Sequence, residues 1–358
     1  MTHPQVHELH HPQTDQSTTL TLADNHVSTE TVRGGKTRRT EKHFATAAEA
    51  ATYAEHQEWA LLKKGFVLHQ AAAAPGEPLL HRFIGGGYTG SLTFADTPAG
   101  LFVYQHGWFR SATDQQDFLL RLDAAGLLLD TLALPTVLAW DAHYQPAWQA
   151  LVLDLDHIVY EYHLATGRTA FVANGELVVL DSDRQALFRQ PLATQLVKGS
   201  LVFAAALGRN GQVLAVHTVP GEVQLRSALD GSLQHTLTGD FGLVQQMEFM
   251  ADDQRLLLLE LHGTGRLRCF DLAQQAEVDF TLLEGEDRPL RVKTYCLNAD
   301  QSRLAVMSET WVELFDPATR QLLHRFPLRH CVKTARLRFV DDALGARTDY
   351  ACFSLYQV

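Results

Sequence analysis

Five basic residues fall within ten positions, Arg33, Lys36, Arg38, Arg39 and Lys42, opposed only by Glu41. Guanidinium and ammonium groups donate to phosphate oxygens and release counterions, so this cluster could grip adjacent phosphates of a nucleic acid. The surrounding charge weighs against that use. Residues 1–67 carry seven Lys/Arg and eight Asp/Glu, and the remainder is strongly acidic, whereas a dedicated nucleic-acid binder shows a basic domain. The balance favours a solvated hairpin, with phosphate binding as the alternative.

The other candidates are weaker. His7-Glu8-Leu9-His10-His11 offers imidazoles to a transition metal. It lies in a polar stretch, Met1–Thr18, that reads as a disordered tail unable to hold ligands at fixed geometry. Asp154 and Asp156, beside His157, share one face of an alternating strand and could act as an acid/base or metal pair. The blander reading places both in solvent beside a turn. Glu284, Glu286 and Asp287 form a similar acidic loop. Gly85-Gly86-Gly87 follows a strand without the Lys-Ser/Thr or G-x-G-x-x-G setting of a phosphate loop, so these glycines read as turn formers. Neither G-x-S-x-G nor H-E-x-x-H occurs. No catalytic, cofactor-binding or metal-ligating residue is therefore expected.

The elements that would carry these residues fall into zones. Within residues 19–67, Thr19–Leu22 and His26–Val32 alternate around Asp24-Asn25 like a hairpin. Thr46 and Glu49 have capping-box spacing ahead of a helix through Tyr53, Trp59, Leu61 and Leu62. Lys63 and Lys64 suit its last turn and Gly65 its C′ position. Residues 68–78, Ala-rich with Pro75 and Pro78, read as a linker.

Residues 79–358 repeat a strand, an Asp-centred turn and a second strand, as at Leu267–Asp271 before Glu277–Leu282 and Val312–Asp316 before Leu322–Phe326. The unit recurs about every 44–58 residues, the period of a β-propeller with four short strands per blade. Leu79–Phe83 repeats Leu322–Phe326 letter for letter. Six blades are favoured and seven are the alternative. Thr334–Val340 and Tyr350–Val358 make half a blade, which Leu79–Phe83, with Gly65–His69 before it, is expected to complete.

Val27–Val67 resembles a WGR domain, a module of some poly(ADP-ribose) polymerases and of various bacterial proteins. The matching text is Gly34-Gly35-Lys36, Lys42-His43-Phe44, Glu49-Ala50 and Lys63-Lys64-Gly65-Phe66, with Thr31-Val32-Arg33-Gly34 in place of the naming Trp-Gly-Arg. The resemblance implies a small α+β domain and, for the family, nucleic-acid contact. The later residues are similar to WD-repeat-like propellers in architecture, without a Gly-His…Trp-Asp signature, and that likeness implies binding through a ring of loops.

Composition bounds the function classes. The 358 residues are 46% apolar and 20% charged with net charge −11, as suits a globular chain rather than a disordered one. Apolar runs such as Leu256–Leu259 are too short to cross a bilayer. Four scattered cysteines and a polar start without an apolar leader segment suggest a reducing cytoplasm. The expected class is a mainly-β interaction or scaffold protein, not an enzyme, with no cofactor, a protein partner and no membrane. The alternatives are a nucleic-acid-associated regulator and a metal-dependent propeller hydrolase.

Overall fold

The computed structural model describes residues 4–85, 92–107, 116–134, 139–145, 149–155, 158–163, 168–174, 176–180, 186–191, 196–197, 200–201, 204–208, 210–250, 253–260, 265–284 and 288–358, with backbone alone at 140, 145, 154–201 and 284. Two compact units emerge: Met1–His143 with Leu328–Val358, and Tyr144–Pro327. The division does not fall at residues 68–78.

The first unit opens with four antiparallel strands, β1 (Gln5–His11), β2 (Gln16–Ala23), β3 (His26–Arg33) and β4 (Lys36–His43). The β2–β3 turn is Asp24-Asn25, with Asp24 at φ +50° and the Asn25 amide donating to Phe44 O at 2.8 Å. Gly34 and Gly35 close the β3–β4 hairpin at φ +54° and +74°, a pair of left-handed residues that a two-residue turn between twisted strands requires. Helix α1 (Ala47–Leu62) starts at Thr46, whose Oγ1 accepts from Glu49 N at 3.2 Å. Glu49 reaches back to Ala45 N at 3.1 Å, one residue beyond the usual capping-box partner. The helix buries Ala50, Glu58 and Leu62. Leu62 joins Leu9, Leu20, Phe66 and Leu68 in a small core. Next come β5 (Val67–His69) and β6 (Pro78–Phe83).

Short antiparallel strands then follow. In the first unit, β7 (Phe94–Thr97), β8 (Gly100–Gln105), β9 (Asp117–Leu122) and β10 (Leu128–Leu134) form one sheet, and β11 (Ala139–Gln145) follows. In the second, β12 (Ala150–Leu155), β13 (Ile158–His163) and β14 (Arg168–Asn174) pair in order. Three two-stranded ladders are β15 (Glu176–Leu180) with β16 (Ala186–Pro191), β17 (Leu196–Val197) with β18 (Ser200–Leu201), and β27 (Leu283–Glu284) with β28 (Arg288–Pro289). Three four-stranded sheets are β19 (Ala204–Leu207) to β22 (Leu233–Thr238), β23 (Val244–Phe249) to β26 (Ala276–Val278), and β29 (Thr294–Leu297) to β32 (Leu322–Pro327). In each of these three the second strand is the most buried: β20 (Val213–Val219), β24 (Arg255–Glu260) and β30 (Leu304–Ser308). Their near-continuous apolar text suits burial on both faces. Third strands are β21 (Glu222–Ser227), β25 (Leu267–Asp271) and β31 (Trp311–Phe315). Fourth strands are exposed or half-buried except at Leu237 and Phe326. Asp turns close the ladders, as where Asp316 Oδ1 accepts from Ala318 N at 2.8 Å.

The chain returns to the first unit with β33 (Ala335–Val340), β34 (Ala343–Thr348) and β35 (Cys352–Gln357). They enter a nine-stranded sheet of order β33-β34-β35-β6-β5-β1-β2-β3-β4. Strand β6 pairs with β35 from Cys352↔Phe83 to Tyr356↔Pro78.

Three sequence expectations change here. Residues 1–18 hold β1 and the start of β2, not a disordered tail, because β1 pairs on both edges and buries His7 and Leu9. The C-terminal segment supplies three strands rather than two. Ala343–Thr348 lacks alternation because nearly all of it is buried. Strand β5 lies beyond β6 on its far side, instead of preceding it within a four-stranded blade. The described residues are mainly β, and no helix among them is long and apolar enough to cross a membrane.

Candidate functional site

A glutamate on the buried face of a helix must be paired, since an isolated buried carboxylate is strongly disfavoured. Glu58 is 1% exposed, one and two turns removed from the positions that suit apolar residues, and partners converge on it from three segments. His330, in the loop before β33, donates through Nε2 to Glu58 Oε1 at 2.7 Å. His7 of β1 bonds through Nδ1 to Oε2. His81 of β6 places Nε2 3.7 Å from Oε1, and Arg329 places Nη1 3.8 Å from Oε2. Glu77 extends the cluster, accepting from Gln5 Nε2 at 2.7 Å and Arg329 Nη2 at 3.2 Å.

The surrounding groups fix these side chains. His81 Nδ1 lies 2.7 Å from Ser354 Oγ on the partner strand β35. Trp59, the next helix residue, stacks on His330 with centroids 4.8 Å apart and on Tyr350 at 4.6 Å. Arg329 N donates to the Tyr356 hydroxyl at 3.1 Å. Cys352, buried beside Ser354, has its thiol pushed up to about 12 by burial.

The cluster shifts proton affinities in opposite directions. Burial opposes charge on Glu58, but hydrogen bonds from His330 and His7 outweigh it and hold the carboxyl well below its usual range. Burial likewise opposes charge on His7, yet Glu58 and Glu77 raise its imidazole overall. For His81 burial dominates, and its affinity falls well below the ordinary histidine value despite nearby Glu58. His81 is thus held neutral, with Nε2 lacking a hydrogen-bond partner. Glu58, His81 and His330 each offer one donor atom, all within 4.8 Å of one another, an arrangement able to hold a metal ion.

The predicted phosphate-binding residues lie elsewhere in the same sheet. Every residue of edge strand β4 is exposed. Register puts Arg33 opposite Lys36, and Lys36, Arg38 and Lys42 alternate along one face. Lys42 Nζ lies 4.2 Å from the Tyr53 ring centroid, where the ring face attracts its charge. Arg39 projects to the opposite face and pairs with Glu41 at 2.9 Å. The five residues therefore form no single basic surface: four share one side and the fifth is neutralised on the other. On the Arg39 side, His26, Glu41 and His43 form a second, more exposed trio able to hold a metal.

Of the remaining candidates, Asp156, His157, Gly86, Gly87, Glu286 and Asp287 lie outside the described residues, as do the side chains of Asp154 and Glu284. His10 and His11 are half-buried, with His11 packed edge-on against Phe66 at 5.2 Å. A cleft of about 440 Å³ near the β7–β8 and β33–β34 turns carries Asp96, Asp341 and Asp342.

Sequence reasoning missed Glu58, His81 and His330. The available signal was an acid in register with Ala50 and Leu62 on one helix face. No known protein family matches the chain, and no curated protein is detectably similar to it.

Proposed function

We propose that this is a non-enzymatic interaction protein, a β-propeller with an appended WGR-like module, that presents its inter-strand loops to a protein partner. One observation carries the reading: the second unit devotes β19–β22, β23–β26 and β29–β32 to successive four-stranded antiparallel sheets of like burial. A propeller repeats that unit around an axis and leaves its loops free to vary. The β6–β35 pairing fits closure of such a ring, in which a strand from early in the chain completes the last blade. Support for the WGR-like module comes from the Gly34-Gly35 hairpin, the Thr46-capped helix and Phe44 at its entrance. A reducing cytoplasm suits the four free cysteines.

The test is capture from native lysate with and without nuclease, followed by reciprocal capture using the partner. A protein retained after nuclease treatment is expected. Loss of every co-purifying component on nuclease treatment would overturn the reading.

A nucleic-acid-associated regulator is the second reading, favoured by Arg33, Lys36, Arg38 and Lys42 on one exposed face. It requires affinity that falls steeply with salt and disappears on changing Arg38 and Lys42 to Glu. The interaction reading expects weak or no binding at physiological salt.

A further inference from the structure

We infer that Glu58, His81 and His330 form a structural site for a divalent transition-metal ion of the zinc class, tying helix α1 to β6 and to the loop before β33. Two imidazole nitrogens and a carboxylate oxygen are donors that zinc accepts readily. Donors about 2.1 Å from a tetrahedral centre lie about 3.4 Å apart. The distances here, 2.7 Å from Glu58 Oε1 to His330 Nε2 and 3.7 Å to His81 Nε2, bracket that value, and the ion takes the place of the proton that His330 Nε2 donates to Glu58, which is released to solvent.

The second observation is His81 itself. Its side chain is fully buried, and Nε2 faces Glu58 without a hydrogen-bond partner. Ser354 Oγ lies 2.7 Å from Nδ1 and can accept a hydrogen bond from it, the tautomer that leaves the Nε2 lone pair facing the cluster. Metal-ligating histidines are generally oriented in this way through their other nitrogen. The other carboxylate oxygen of Glu58, Oε2, is bound by His7, with Arg329 nearby. Trp59 packs over His330, and every ligand is less than 5% exposed, as suits a structural rather than a substrate-facing ion.

The test uses the full chain, purified without a polyhistidine tag, and elemental analysis. About one zinc per chain is expected. Removal with a chelator should lower the melting temperature, and zinc alone should restore it by roughly 5 °C or more. Cobalt in its place should give the visible bands of a low-symmetry site. His330→Gln should abolish the metal, while the double variant His26→Ala/His43→Ala should retain it. The chelation and refill of the unaltered chain stands even where His330→Gln fails to fold. A melting temperature indifferent to chelator and to added zinc would overturn the proposal. So would metal lost from the His26/His43 variant but kept in His330→Gln.

Discussion

His81 and His324 hold the middle place of the same pentapeptide, on the fourth strand of their respective ladders, yet His81 is fully buried and His324 only half-buried. The neighbouring leucines diverge further: Leu80 is 0% exposed and Leu323 is 53%. Strand β32 is a sheet edge, whereas β6 has β5 paired on its other side and α1 packed near it. Identical text thus yields a surface strand in one setting and the wall of a buried polar cluster in the other.

Removing the acid at the centre of that cluster should be severe. Glu58→Ala leaves His7 and His330 without the carboxylate they bond, and breaking a buried ion pair from one side costs about 3–5 kcal/mol. Urea unfolding should show a loss of that order. A loss no larger than that of an exposed Glu55→Ala control would contradict the account.

Asp349 organises the loop that carries His330. Its carboxylate accepts from Val332 N at 2.9 Å, Lys333 N at 2.8 Å and Thr334 N at 3.1 Å, and the residue is 7% exposed. Asp349→Ala should destabilise by about 2–3 kcal/mol, because buried donors lose their acceptor. Asp349→Asn keeps one acceptor oxygen and should lose less. Equal losses in the two variants would argue against this role.

Acidic pH should relieve a penalty at the cleft. Burial, then the charge of Asp341, raises the Asp96 carboxyl above its ordinary value. Its native form therefore binds protons more readily than the unfolded chain. The resulting penalty is full above the folded value and vanishes below the unfolded one, near 3.8. Asp96→Asn should thus raise the melting temperature at neutral pH and make little difference below about pH 3. A gain unchanged across that range would show that Asp96 is not strained by charge.

Truncation tests the long-range pairing. A chain beginning at Gly85 lacks β6 and exposes the edge of β35 along Cys352–Tyr356. It should be insoluble or far less stable than one beginning at Leu61, which retains β5 and β6. Both should fall below the full chain, since each lacks Glu58 and His7. Indistinguishable stability of the two shortened chains would refute the dependence on β6.

Local chemistry was readable in the sequence. Thr46 with Glu49, Gly34-Gly35, Asp24-Asn25 and the Asp turns each act within a few residues, so their text specifies their geometry. The buried cluster was not readable because its parts are remote: Glu58 and His330 are 272 residues apart. Strand β1 hides its own pattern as well. It turns Val6 outward at 39% exposure and His7 inward, the reverse of what apolar alternation leads one to expect. Ala343–Thr348 escaped notice for a related reason, since burial on both faces leaves no alternation to detect.

The partnership of β6 with β35 also sets an order in time. His81 leaves the ribosome 273 residues before Ser354, its hydrogen-bond partner. At about 5–20 residues per second, roughly 14–55 s pass before the second strand exists. Throughout that interval one edge of β6 must go without its native neighbour while all of the intervening strands are made. A holding chaperone, or a transient partner on that edge, has its clearest opportunity then. The sheet begun first is the sheet finished last.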